Sequence, residues 1–72
     1  MKEVKINTEY IKLGQLLKFA AIIDSGACAK TFLEENDVFI NGNLEKRRGK
    51  KIYSGDIVEV LNEKIIIKSS EE

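Results

Sequence analysis

Val38-Phe39-Ile40-Asn41-Gly42 is the segment on which the fold turns. Before it, apolar residues recur at helical spacing. From Val38 onward the period drops to two, with Val38 and Ile40 alternating against Phe39 and Asn41. Asn41-Gly42 follows, a pair that tolerates the left-handed backbone of a tight hairpin turn. Leu44 begins the return arm, which a run of charge interrupts. Further on, Ser54-Gly55-Asp56 marks a turn and Ile57-Val58-Glu59-Val60-Leu61 reads as a strand. Asn62-Glu63 turns again into Lys64 to Lys68, whose Ile65-Ile66-Ile67 centre is strongly strand-forming. Residues 69–72 read as a frayed acidic tail.

Upstream, a helical pattern starts at Ile11. Leu13, Leu16, Leu17 and Ala20 fall at i, i+3, i+4 and i+7 and make one apolar stripe. Lys12, Gln15 and Phe19 lie on a neighbouring stripe that need not be buried. Asn7 or Thr8 could cap this helix, and Ile22-Ile23 ends it. Asp24-Ser25-Gly26 breaks the chain and offers a cap to a second helix, where Ala29, Phe32 and Leu33 repeat the spacing and Lys30 points elsewhere. Asn36-Asp37 ends that helix, Asn36 being tolerant of a left-handed terminus. Lys2 to Asn7 alternates around Val4 and Ile6 as a short strand. The expected fold is therefore α+β, two short N-terminal helices packed on a small antiparallel sheet. Leu17 and Phe32 are expected in its core, where truncation of either to alanine should cost about 2–5 kcal/mol.

With 72 residues and neither linker nor repeat, the chain reads as one domain spanning 1–72, near the lower end of what a core holds together unaided. Met1-Lys2-Glu3-Val4-Lys5 lacks the apolar region of a signal peptide and no run is long enough for a membrane span, so a cytoplasmic location is expected. The absence of histidine removes Ser-His and Cys-His nucleophile schemes. The single cysteine, Cys28, can neither form an internal disulfide nor share a metal with a second thiol; it is expected as a small buried hydrophobe on a helix. No cofactor, no metal and no catalysis are expected.

Charge is the strongest functional signal. The chain has 12 basic and 12 acidic residues, yet four of the basic ones stand in Arg47-Arg48-Gly49-Lys50-Lys51. Between Gly42 and Gly55 there are five positive residues, Lys46 included, and one negative, Glu45. That window carries +4 and leaves −4 for the rest, so a neutral protein is polarised with one loop at its positive end. Such a patch favours a polyanion, and nucleic acid is the commonest one in a cell. Gly49 lets the backbone approach a phosphate, the two guanidiniums can grip phosphates bidentately, and the lysines act as point charges. The second helix offers mostly Ala, Cys, Thr and Glu, which weighs against reading base edges in a major groove. Phe19, Phe39 and Tyr53 are the only plausible stacking aromatics. Recognition of structured RNA by shape and phosphate fits best.

Taken in order, Lys12-Leu13, Ser25-x-x-x-Ala29-Lys30-x-x-Leu33, Val38-x-Ile40-Asn41-Gly42 and Gly55-Asp56-x-Val58 resemble the S-four RNA-binding domain, also called the alpha-L motif. The resemblance covers roughly residues 11–61, and the ordered series of blocks is more specific than any one of them. The Ser25-Gly26…Ala29-Lys30 stretch and the basic loop before Gly55-Asp56 are closest to the short stand-alone bacterial members labelled YaaA-like. The resemblance implies structured RNA as ligand, ribosomal RNA above all, with contacts from Lys12, Ser25, Lys30 and the hairpin region. Larger relatives attach this domain to pseudouridine synthases and tyrosyl-tRNA synthetases, and the lack of such a second domain here implies binding without catalysis. Gly26 stands where many members carry arginine, which shifts more of the phosphate contact to the loop. Ala27-Cys28 and Ser54 also depart from the short subgroup, which often has glycine and glutamate at the former and proline at the latter.

The candidate RNA-binding set is thus Lys12, Ser25, Lys30, Lys46, Arg47, Arg48, Lys50 and Lys51, on a protein expected to be monomeric. The competing reading is a protein-interaction module, its basic loop meeting an acidic partner and Ile65–Ile67 offering an edge for strand pairing.

Overall fold

The Asn41-Gly42 turn forms as its residue types require, with φ of 51° and 86° at the two positions. It joins β3 (Val38–Ile40) to β4 (Asn43–Glu45), pairing Ile40 with Asn43 and Val38 with Glu45. In this computed structural model, which describes residues 1–71, the remaining elements are β1 (Lys2–Ile6), β2 (Tyr10–Lys12), α1 (Leu13–Phe19), a 3-10 turn (Gly26–Cys28), α2 (Ala29–Glu35), β5 (Lys51–Tyr53), β6 (Ile57–Val60) and β7 (Glu63–Ser69).

The α+β class holds, but the sheet is larger than expected and mixed. Five strands lie in the order β1-β7-β6-β3-β4, and β2 pairs with β5 in a separate antiparallel ribbon. β1 runs parallel to β7, with Val4 opposite Ile67, while the other pairs are antiparallel. Nor are the helices N-terminal, since two strands precede them. The cause is non-local: β1 has an apolar alternation to bury and no hairpin partner nearby, so it closes on the last strand of the chain. Ile65–Ile67 consequently lies between β1 and β6, and the sheet's edges are β1 and β4. The expected free edge at Ile65–Ile67 does not exist. The tail is also tied further along than expected. Ser69 belongs to β7 and the Ser70 amide donates to the Ile6 carbonyl at 2.8 Å, while Glu72 lies outside the described residues.

One face of the sheet carries the core. Register sets Val38 against Val60, Ile40 against Val58 and Val58 against Ile65, all buried together with Ile67, Leu13, Leu16, Leu17, Ala29 and Leu33. The apolar stripe of α1 is this buried face; Lys12, Gln15 and Phe19 are exposed. Phe32 only leans on the rim of the core, half-buried, so the full cost of truncation belongs to Leu17 and a smaller one to Phe32. Cys28 is exposed rather than buried. The 3-10 turn ahead of α2 moves it off the Ala29–Phe32–Leu33 stripe, and its sulfur lies 3.6 Å from Ser25 Oγ.

Both helices are bounded differently from expectation. α1 is capped by Lys12, whose amide donates to Gln15 Oε1 at 3.2 Å, because residues 10–12 are already strand; Thr8 Oγ1 donates instead to the Tyr10 carbonyl at 2.8 Å. It stops at Phe19, where Ala21 turns to φ 60° and Ile22 donates back to the Leu17 carbonyl at 2.9 Å. That reversal folds Ile23 into the core. Asn36 ends α2 in an extended conformation, not a left-handed one, and its Nδ2 donates to the Phe32 carbonyl at 3.1 Å.

Candidate nucleic-acid interface

Gly14 is where three parts of the chain meet. Its backbone lies so close to its neighbours that a Cβ there would sit 3.3 Å from Ala29 Cβ and 3.5 Å from Arg48 Cβ. Glycine leaves room for this approach, where an added Cβ would crowd Ala29; its backbone angles do not require it. The Gly14 amide donates to the Arg48 carbonyl and the Leu13 amide to the Lys50 carbonyl, each at 2.9 Å. The first amides of a helix have no intrahelical acceptor, so the basic loop supplies two of them and is pinned there. Inside the loop Lys50 N donates to the Arg47 carbonyl at 3.2 Å, forming a turn around Gly49.

Pinning brings together candidates that are distant in sequence. Lys12 stands directly opposite Lys51 in the β2–β5 register. Arg48 packs on Gly14 next to Ala29, so Lys30 follows immediately on that junction. Lys12, Lys30, Arg48 and Lys51 are exposed and Lys50 is half-buried. Two like charges placed opposite each other across an antiparallel pair repel, a local cost that a bound anion would relieve. Ser25 sits half-exposed at the entrance to the 3-10 turn, with its hydroxyl near Cys28.

Two of the eight candidates are already paired with acids. Lys46 Nζ donates to the Leu33 and Asn36 carbonyls at 2.9 and 3.0 Å and pairs with Asp37 Oδ1 at 3.1 Å. It closes the C-terminal end of α2, while the junction at Gly14 lies at the opposite end. Arg47 forks onto Glu45, with Nε 2.9 Å from Oε2 and Nη2 3.1 Å from Oε1, and the Lys46 and Arg47 amides also donate to Oε2. The guanidinium hydrogen bond, chiefly, holds the Glu45 carboxyl down at about 2, and the same bond raises Arg47 above its ordinary value. Among the described residues, Arg48, Lys50, Lys51, Lys12 and Lys30 have no acid within ion-pair distance.

One residue of this surface has no counterpart in the candidate set. Tyr10 packs in a tilted contact against Tyr53, with centroids 5.9 Å apart at 53°, and Lys51 Nζ lies 4.8 Å over the Tyr10 ring. Tyr10, Lys12, Lys51 and Tyr53 therefore share the outer face of the ribbon, while Ile11 and Ile52 face the core. The alternation Tyr10-Ile11-Lys12 carried that signal over three residues only, too short to stand out beside a helical pattern.

Comparison with known proteins agrees with this layout. The model of a family described as the S4 domain matches residues 4–68. Over 57 residues the chain is 51% identical to "Probable ribosome maturation protein RlbA" of Bacillus subtilis (strain 168), a match covering 79% of this chain and 80% of that protein. The order of strands, helices and basic loop described above thus belongs with a known sequence pattern: the chain is a member of the S4 domain family.

Proposed function

We propose that this protein is an RNA-binding module that grips structured ribosomal RNA, or a ribosome-assembly intermediate, through its phosphates and without catalysis. The observation that carries the reading is the junction at Gly14, where the starts of α1 and α2 and the basic loop converge with Lys12, Lys30, Arg48, Lys50 and Lys51 free of acidic partners among the described residues. Family membership and the ribosome maturation name of the Bacillus subtilis relative support it. In this reading Arg48 meets a phosphate with its fork, the Lys12–Lys51 pair holds another between two ammonium groups, and Lys30 on α2 and Ser25 ahead of it extend the contact. Arg47 joins only by giving up Glu45, and Lys46 serves the scaffold. The unit is the whole of residues 1–72, acting as a monomer in the cytoplasm.

Binding to purified ribosomal RNA and to ribosomal subunits, followed against salt concentration, tests this. Wild-type affinity is expected to fall steeply with salt, and the Arg48→Ala/Lys50→Ala/Lys51→Ala variant to show a slope shallower by about two to three. A variant that melts like the wild type and binds RNA equally well would remove the loop from the interface. No binding of the wild type to either target at low salt would transfer the function to an acidic protein partner.

A further inference from the structure

The exposed stripe of α1 has a use that the basic loop leaves open. Lys12, Gln15 and Phe19 line an open groove of about 900 Å³ between α1 and the connection from β1 to β2. Phe19 is 68% exposed, a phenyl ring held at the end of a helix with most of its surface in water. Lys5 and Lys18 join Lys12 on the walls, against Glu9, the single acid among the described residues that line it. The groove is therefore cationic and carries one free aromatic face. It is also continuous with the basic surface, because Lys12 belongs to both and Tyr10, which lines the groove, touches Tyr53 and Lys51 on the ribbon.

Given that the basic loop binds RNA, we propose that this groove seats unpaired nucleotides leading off the structured element, one base stacking on Phe19 and the flanking phosphates meeting Lys5, Lys12 and Lys18. A cationic channel with an aromatic platform is the arrangement that takes single strands, and it is tolerant of sequence because every base has a π-face. Charge favours this occupant over a basic or neutral protein segment. Continuity through Lys12 supplies the path by which a strand would leave the loop and enter the groove.

The test uses the full chain and two labelled RNAs, a blunt hairpin and the same hairpin with a short oligouridine extension. The extension is expected to tighten wild-type binding by about tenfold, within the range that one base–aromatic stack produces. Phe19→Ala should lose that gain and keep wild-type affinity for the blunt hairpin, and Phe19→Tyr should restore it. Because the ring is exposed, both variants should melt like the wild type. An extension without effect, or a gain that survives Phe19→Ala, overturns the groove proposal while leaving loop binding intact. If only the extended RNA binds, and Phe19→Ala abolishes it, the groove proposal stands and recognition of structured RNA falls; if neither RNA binds, both fall. Loss of subunit binding by Phe19→Ala with both RNAs unaffected would make the occupant a ribosomal protein and reject nucleotides.

Discussion

Ala21 and Leu61 hold backbone conformations that other residues adopt at less cost. Ala21, at φ 60°, ends α1 in a full reversal: its amide donates to the Lys18 carbonyl at 3.0 Å and that of Ile22 to Leu17 at 2.9 Å. This position usually carries glycine. Leu61, at φ 50°, begins the two-residue turn with Asn62 and is largely exposed. Left-handed backbone costs an L-residue about 1–2 kcal/mol, against about 0.5–1 kcal/mol of extra chain entropy that glycine loses on folding. Ala21→Gly is therefore expected to raise stability by about 0.5–1 kcal/mol in urea unfolding, since the exposed Ala21 side chain packs on little. A drop in stability would show that its methyl group contributes more than its backbone costs. The same residue explains why sequence overran the helix. Alanine is the best helix former, so nothing at position 21 announces a stop, and Ile22-Ile23 looked like the natural end.

Elements legible in sequence were those whose partners are close along the chain. The α1 stripe, the Asn41-Gly42 hairpin and the Asn62 turn all rest on local periodicity or turn chemistry. The β2–β5 ribbon rests on neither, because Tyr10–Lys12 finds Lys51–Tyr53 only after both helices and the hairpin have folded back. β1 is legible as a strand from its alternation, but its place beside β7 is the same case over nearly the whole chain. Lys46 shows what this does to a site. Its charge was readable and its full destination was not, since the hairpin register brings it to Asp37 but the Leu33 and Asn36 carbonyls meet it only where the end of α2 adjoins that hairpin. An ammonium over the last carbonyls of a helix stabilises it, here partly screened because Lys46 is 44% exposed in its side chain. Lys46→Ala should lower stability by about 1 kcal/mol and leave the salt slope of RNA binding unchanged. Arg48→Ala should do the reverse, with a shallower slope and an unchanged melt. A shallower slope for Lys46→Ala at equal stability would return that lysine to the interface.

Across the whole molecule, zero net charge does not weaken the case for a polyanion. The protein extends 34 × 23 × 18 Å, about two to four times the screening length of about 8 Å in physiological salt, so acids at its far end scarcely reach the loop. Glu45 is the acid that matters, because it stands inside the basic window and occupies the Arg47 fork. Glu45→Gln removes a negative charge from the surface and frees a guanidinium, so RNA affinity should rise and the salt slope steepen by about one. The sign with pH follows from the carboxyl held at about 2 in the folded protein, against an ordinary value near 4.3 when unfolded. A group lowered by folding stabilises the fold fully above its unfolded value and loses that contribution as pH falls through the folded one. Wild type should therefore be the more stable of the two at neutral pH, with the difference beginning to close below about pH 4 and gone near pH 2. The affinity advantage of Glu45→Gln should by contrast stay level between neutral pH and about pH 4, since Glu45 remains ionised and Arg47 remains held throughout that range. An advantage that shrinks already at pH 5 would mean that Glu45 takes a proton there, and that the fork opens to RNA without any substitution.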